Sequence, residues 1–477
     1  MASVSSHIKS GILWNVLASF ARYGLQFAAV MILARLLSPA EYGLVGLLAI
    51  FIAVADALVD SGLGGAVVKK EGAQPIDFST LTVYNLVVSI VIFLLYVYGA
   101  TWVADYYGQP ELEGLLRLYS VCIIVYALSI APRAMLAKQL RFKAIALLNT
   151  LAGAVALVVA IVLAYRGFKA YAIVWQYLVN ALVFSVGAMI LVRYRFSLAF
   201  SWASFREQFN FGFFTMVTML LRMVNENIYS NVIGKKASMN QTGCYSQSMK
   251  VMNIPVGFLF NMIEGTFFPV MSQITDRNEF QTQIIRLNQR TMGCILVLFT
   301  LLLPINREIV LVLLGEQWID SIWTVRMLLL AGMFISMGNV GSNLIKCTGR
   351  TFLMMRCEVV VLAVSLSGLW FIASCGYEAI VCWFLAVCAG KFVLLTIVAC
   401  RQVEIGVWRF LRPLWWVALC CLLFVALFSQ ISIGSLWLSI IVKGAVYLLL
   451  GAIGFLLFRR YKARTASAGQ DGTTSGF

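Results

Sequence analysis

The sequence predicts an all-α polytopic membrane protein of about 14 transmembrane helices. Three observations predict it. Of 477 residues 61% are hydrophobic and 12% charged, and mean hydropathy is +0.91; soluble domains carry roughly 25% charge. Apolar stretches near 20 residues recur from Gly11 to Phe458, the length that crosses a hydrocarbon core about 30 Å thick. The intervening loops are short, so no catalytic or ATPase domain of useful size interrupts them. The first apolar run is too long for a secretory leader and lacks a small-residue cleavage site.

Taken in order, the spans fall at 11–34, 42–68, 80–104, 114–137, 144–165, 171–192, 208–234, 243–272, 287–305, 322–345, 354–375, 378–400, 411–430 and 436–458. Each is bounded by charged or turn-forming residues, such as Arg35 to Ser38 after the first and Lys69 to Gly72 after the second. An even number places both termini on one side. That side collects most cations, among them Lys69, Lys70, Lys138, Arg141, Arg193, Arg286, Arg350, Arg401 and Arg459. The positive-inside rule makes it cytoplasmic. The net charge of +16 is therefore topology, with some attraction for anionic lipids, and nucleic acid is not an expected partner. Eleven cysteines, without C-x-x-C, and the single His7 offer neither a disulfide framework nor a zinc site. "GRT" at 349–351 is no phosphate loop.

Sliding the sequence by 200 residues aligns Arg22 with Arg222, Ser38 with Ser238 and Gly43 with Gly243. Span 1 then pairs with span 7, giving two parallel blocks of six helices. The expected organisation is an N-terminal lobe at 1–200, a second lobe at 201–405, two extra helices at 406–462 and a disordered cytoplasmic tail at 463–477.

Polar stripes cross otherwise apolar helices. Span 1 carries Asn15, Ser19, Arg22 and Gln26, at helical steps of four, three and four. Span 7 carries Thr215, Thr218, Arg222, Asn225 or Glu226, and Tyr229; span 8 carries Lys250, Asn253, Gly257, Asn261 and Glu264. Span 2 carries Asp56 and Asp60, one turn apart. Such faces cannot look at lipid, where each unsatisfied polar group costs several kcal/mol. They look at a partner helix or at water. Hydrogen bonds between spans explain the hydroxyls. The cations permit two readings. Arg22 and Arg222 pair with Asp56, Asp60, Glu226 or Glu264, or they face a water-filled cavity and bind an anionic head, for which a guanidinium fork suits a diphosphate. Asp56, Asp60, Glu226 and Glu264 are expected as the four acids deep in spans, able to carry H+ or Na+ or to offset the arginines. Arg133 and Arg326 sit near span ends, where they reach the interface or line a cavity rim, and Lys391 is a further cation within span 12. "WVADYY" (102–107) fits an interfacial aromatic belt.

Several segments carry a family likeness: "ILARLLSPAEYGLVGLL", "DSGLGGAVVKK", "WVADYYGQPELEGLLRLYS", "LVRYRFSLAFSWASFREQFNFG", "NENIYSNVIGKKASMNQTGCYSQSMKVMNIPVGFL" and "FFPVMSQI". In order and spacing, from about residue 8 to 400, the chain resembles the polysaccharide-transport flippases of O-antigen translocase type. These lie within the multidrug/oligosaccharidyl-lipid/polysaccharide exporter superfamily. The resemblance implies two six-helix bundles in a pseudo-twofold V. It implies a lipid-linked oligosaccharide as cargo, carried on undecaprenyl diphosphate from the cytoplasmic to the periplasmic leaflet of a bacterial inner membrane by alternating access. It places cavity cations at Arg22 and Arg222, with Lys250 beside them. Asn15, Gln26, Asn225, Asn253 and Asn261 complete the expected cavity lining. No catalytic residue, cofactor or metal is expected, only possible H+ or Na+ coupling; membrane lipids and a polysaccharide polymerase are further expected partners.

Two other functions stay open on the residues alone. A drug or cation exporter of the same superfamily needs a net acidic cavity, and three cations against four acids do not exclude one. A membrane glycosyltransferase or polymerase would use paired carboxylates, for which Asp105, Glu111 and Glu113 offer one short acidic loop.

Overall fold

The computed structural model describes residues 24–60, 62–194, 197–271, 277–347, 351–411 and Lys443. Its regular elements are all helical. They are α1 at 24–36, α2 Pro39–Asp60, α3 Leu63–Lys69, α4 Pro75–Tyr107, α5 Glu111–Lys138, α6 Phe142–Tyr165, α7 Tyr171–Val192, α8 Trp202–Lys236, α9 Met239–Met271 and α10 Arg277–Leu302. Then follow α11 Asn306–Leu313, a 3-10 turn Glu316–Ser321, α12 Ile322–Cys347, α13 Thr351–Ile372, α14 Tyr377–Val403 and α15 Val407–Leu411. Expected spans 2 to 12 coincide with these helices, and the described part of span 1 lies in α1. Spans 13 and 14 and the 463–477 tail lie outside the described residues, except Lys443, as do Asn15 and Arg22.

Nine helical segments among the described residues are long and apolar enough to cross a membrane. α8 and α9, at 35 and 33 residues, are also long enough to cross a membrane. The second span is two helices rather than one. Gly62 adopts φ 70° between α2 and α3, a left-handed conformation that Cβ-bearing residues avoid, and Asp60 sits at this break.

Four-residue entry motifs repeat at the 200-residue offset. Ser38 N donates to Glu41 Oε2 at 2.7 Å and Glu41 N donates to Ser38 Oγ at 3.4 Å. Ser238 N donates to Gln241 Oε1 and Gln241 N to Ser238 Oγ, both at 3.2 Å. Both are reciprocal capping boxes that satisfy the first orphan amides of α2 and α9. The two helices then cross. A Cβ on Gly43 would collide with Met239 O, one on Gly243 with Pro39 O, and one on Gly46 with Ser246 Oγ. Positions 39, 43 and 46 thus meet the positions 200 residues on, the mark of a twofold axis between like surfaces. At Gly43 and Gly243 glycine is required because backbone meets backbone.

α2, α4, α5, α6 and α7 pack on one another, as do α9, α10, α12, α13 and α14. One apolar core runs through both sets, with a smaller cluster of Leu136, Leu148, Ala152, Phe184 and Ala188 inside the first. α2 joins the sets by packing on both α8 and α9. α8 spans both: its C-terminal half reaches α13, where Tyr229 and Ser365 share a hydrogen bond of 2.7 Å. Its first turns are held by α3 and α4. Lys70 Nζ donates to Asp77 Oδ1 at 2.9 Å and to Glu207 Oε2 at 2.8 Å. Ser204 Oγ donates to Asp77 Oδ1 at 2.5 Å, and Gln208 Nε2 to Asp77 O at 3.2 Å. The bonds to Glu207 and Asp77 raise the Lys70 ammonium above the usual lysine range, so it stays charged. Lys138 Nζ donates to the carbonyls of Val67, Val68 and Lys70, a cation on the C-terminal carbonyls of α3.

Candidate functional site

The two helix sets close on each other at the end where α1 turns into α2 and α8 into α9. Arg35 Nη2 donates to Val312 O at 2.6 Å. Trp318 Nε1 donates to Ala34 O at 2.8 Å, and Gln317 Nε2 to Leu37 O at 3.2 Å. The second half repeats this logic. Lys235 Nζ donates to Tyr106 O and lies 4.2 Å from the Tyr106 ring centroid, and Tyr107 Oη donates to Asn231 Oδ1 at 2.7 Å. In both halves a cation ending the first helix of one set caps a carbonyl of the other. The tyrosines of "WVADYY" therefore form part of a seal, beyond the interfacial belt expected for them.

Below the seal, Tyr42 of α2 meets the Trp318 ring edge-on, centroids 5.4 Å apart. Both rings are buried. Lys250, one turn along α9 from the Gly46–Ser246 contact, places Nζ 4.5 Å from the Tyr42 centroid. No ion pair of Lys250 occurs among the described residues. It therefore stands as a cation at the closed end of the space between the sets.

Farther from the seal, Arg222 Nε donates to Glu226 Oε1 at 2.9 Å across one turn of α8. Their side chains are 54% and 46% exposed. Gln26 and Asn253 are also exposed. Exposure here means the absence of packed protein, and the expectation that polar groups at membrane depth look at water rather than lipid applies to these faces. An exposed pair such as Arg222–Glu226 contributes at most about 1 kcal/mol, so an incoming anion displaces the carboxylate at small cost. Asn225, on the same helix, is buried with Oδ1 unpartnered among the described residues. Asn261 is half-buried. The Glu264 side chain lies outside the described residues, like Asn15 and Arg22.

Of the two carboxylate pairings open to Arg222, the structure adopts Glu226. Asp56 and Asp60 are held apart from it, inside the first helix set. Tyr119 Oη donates to Asp56 Oδ1 at 3.4 Å. Asp60 lies in the field of Arg133, whose guanidinium is 5.9 Å from the Phe184 centroid. Four deep acids were expected; a fifth, Glu358 of α13, pairs with Lys391 of α14 at 2.7 Å. Two isolated opposite charges in neighbouring apolar runs were the signal for it. Glu308 and Lys443 also pair, at 2.8 Å, with side chains only 6% and 5% exposed. Lys443 also donates to Pro304 O at 3.0 Å. Glu308 reads as a loop residue in sequence, so nothing announced this pair. In the acidic loop Glu113 is held by Arg117 at 2.6 Å and by Thr101 at 3.2 Å, an ordinary helix pair.

The sequence pattern of the polysaccharide biosynthesis proteins matches residues 32–323. The chain belongs to that family. The matched stretch contains the seal, the glycine crossing, Arg222, Glu226 and Lys250. The chain is 24% identical to the lipopolysaccharide biosynthesis protein WzxC of Escherichia coli (strain K12), over 73% of its own length and 72% of the relative's. It is 26% identical to the succinoglycan biosynthesis transport protein ExoT of Rhizobium meliloti (strain 1021), over 64% and 62%. Among solved structures, the lipid II flippase MurJ in an inward closed conformation superposes with a TM-score of 0.75 at 13% identity, over 95% of this chain and all of that one. That likeness is one of fold.

Proposed function

We propose that this protein is a flippase for undecaprenyl-diphosphate-linked oligosaccharide in surface polysaccharide biosynthesis, and not an enzyme. The observation that carries the reading is the exposed Arg222–Glu226 pair on α8, with Lys250 at the closed end of the same cleft. A guanidinium suits a diphosphate because its fork is bidentate and always charged, and Lys250 adds a point charge. Family membership and the transport and lipopolysaccharide names of ExoT and WzxC support it. In this reading the chain sits in a bacterial inner membrane with both termini cytoplasmic, as its cation distribution favours. The sealed end is then periplasmic, and the structure is the state that receives cargo from the cytoplasmic leaflet. The lobes 1–200 and 201–405 rock about the Gly43–Gly243 crossing to release it, and helices 406–462 flank the second lobe. A polymerase would take the delivered units.

Deleting the gene is expected to make lipid-linked oligosaccharide accumulate on the cytoplasmic leaflet, read by labelling the glycan in sealed spheroplasts and inverted vesicles. Normal surface glycan without that accumulation would refute the reading.

The uphill step is assigned to an ion gradient, with Asp56 and Asp60 as the H+ or Na+ carriers and Glu226 and Glu264 as secondary candidates. Asp56→Asn is expected to lower gradient-driven export at least roughly tenfold with unchanged membrane abundance. Export that stays normal in Asp56→Asn and Asp60→Asn would leave these acids as structural partners of Tyr119 and Arg133.

A further inference from the structure

We infer that Lys250 links occupancy of the cleft to release of the seal, so that a bound diphosphate head itself unlocks the periplasmic end. This rests on the flippase reading above and names how its site would be used. Four groups stack across the interface and alternate between the two helix sets. Lys250 of α9 lies over Tyr42 of α2 at 4.5 Å. Tyr42 meets the edge of Trp318 at 5.4 Å. Trp318 donates to Ala34 O of α1 at 2.8 Å. Every link therefore joins one set to the other, and the first link ends in the ammonium of the half-buried Lys250.

The ammonium has two possible partners, and they compete. In this structure its partner is the Tyr42 ring, whose π face attracts a cation weakly. A phosphate oxygen carries a full charge and accepts a hydrogen bond, so it attracts the ammonium more strongly. An arriving diphosphate draws Nζ from the ring, and Tyr42 loses the contact that braces it from the opposite set. The seal is poised for this. Ser246 Oγ, against Gly46 and one turn from Lys250, is buried without a partner among the described residues. Parting of the sets hydrates that hydroxyl, which favours the open arrangement. The device is one-sided: the position 200 residues before Lys250 is Ile50, which has no charge to offer. Anion binding at Arg222 alone, well below the seal along α8, moves none of the stacked groups.

The test uses the full chain in nanodiscs, with the native cysteines replaced and spin labels on Glu111→Cys and Ile319→Cys. These positions flank the seal on opposite sets, and both are exposed. The probe is geranylgeranyl diphosphate, with binding measured in parallel. It is expected to lengthen the inter-label distance in the parent protein. Lys250→Gln is expected to bind the probe roughly tenfold more weakly and to show no lengthening at saturation, and Lys250→Arg to restore it. Tyr42→Leu is expected to show the long distance before any probe is added. Lengthening in Lys250→Gln equal to the parent's overturns the coupling while leaving the flippase reading intact. So does a closed, probe-responsive Tyr42→Leu, which decides the matter if Lys250→Gln fails to bind. Absence of any binding to the parent overturns the head-group reading itself.

Discussion

Gly243→Val is expected to abolish glycan export while the protein still accumulates in the membrane. The backbone of α9 touches the backbone of α2 at this residue, and even a Cβ would collide with Pro39 O. A carbonyl cannot move aside as a flexible side chain does, so the two helices must separate. Overpacking of this kind costs about 1–3 kcal/mol, a shift of roughly 5- to 150-fold in the ratio of sealed to open protein. A carrier that cannot hold the seal cannot complete its cycle. Gly43→Val is expected to do the same, because its Cβ meets Met239 O from the other side. Surface polysaccharide restored in a deletion strain measures export, and the label pair across the seal measures closure. Full export with an unchanged distance would show that the crossing tolerates the added volume.

The second large effect is expected at Arg222. Arg222→Ala should remove export at normal abundance and weaken binding of an isoprenoid diphosphate roughly ten- to a hundredfold, the range for one charge-assisted hydrogen bond. Arg222→Lys should retain part of the activity, since a point charge replaces a fork. Glu226→Gln should act in the opposite direction on binding. The amide no longer neutralises the guanidinium 2.9 Å away, and the diphosphate no longer displaces a carboxylate. Titrating the three variants with the same lipid separates the cases. Wild-type affinity in Arg222→Ala ends its role as a clamp.

How much of this was legible in the sequence depended on what each signal required. The spans were legible because hydrophobic length is a local property. The repeat was legible as Ser38/Ser238 and Gly43/Gly243, and both pairs prove to be structural equivalents. The stripe on α8 was legible from helical spacing, but its partner was not. Glu226 and Glu264 were both open to Arg222 on paper, and Glu226 lies one turn along the same helix. The tyrosines of "WVADYY" looked like an interfacial belt because their contacts, Lys235 and Asn231, come from over a hundred residues away. Glu308 was invisible as half of a buried pair, since its partner Lys443 is 135 residues distant.

By itself the sequence determined that this chain crosses a membrane, where its helices run, that it is built of two related blocks, and which helix faces are polar. These follow from periodicity and hydrophobic length, which need no knowledge of neighbours. Only the tertiary structure decided which end of the blocks is closed, that Gly43 and Gly243 lie on the axis between them, and that Lys250 rests on a ring of the seal while Arg222 rests on Glu226. Apart from the Arg222–Glu226 pair, which lies within one turn of α8, those are facts of distance between segments about 200 residues apart, and pairing across such a gap is settled by packing and not by local propensity.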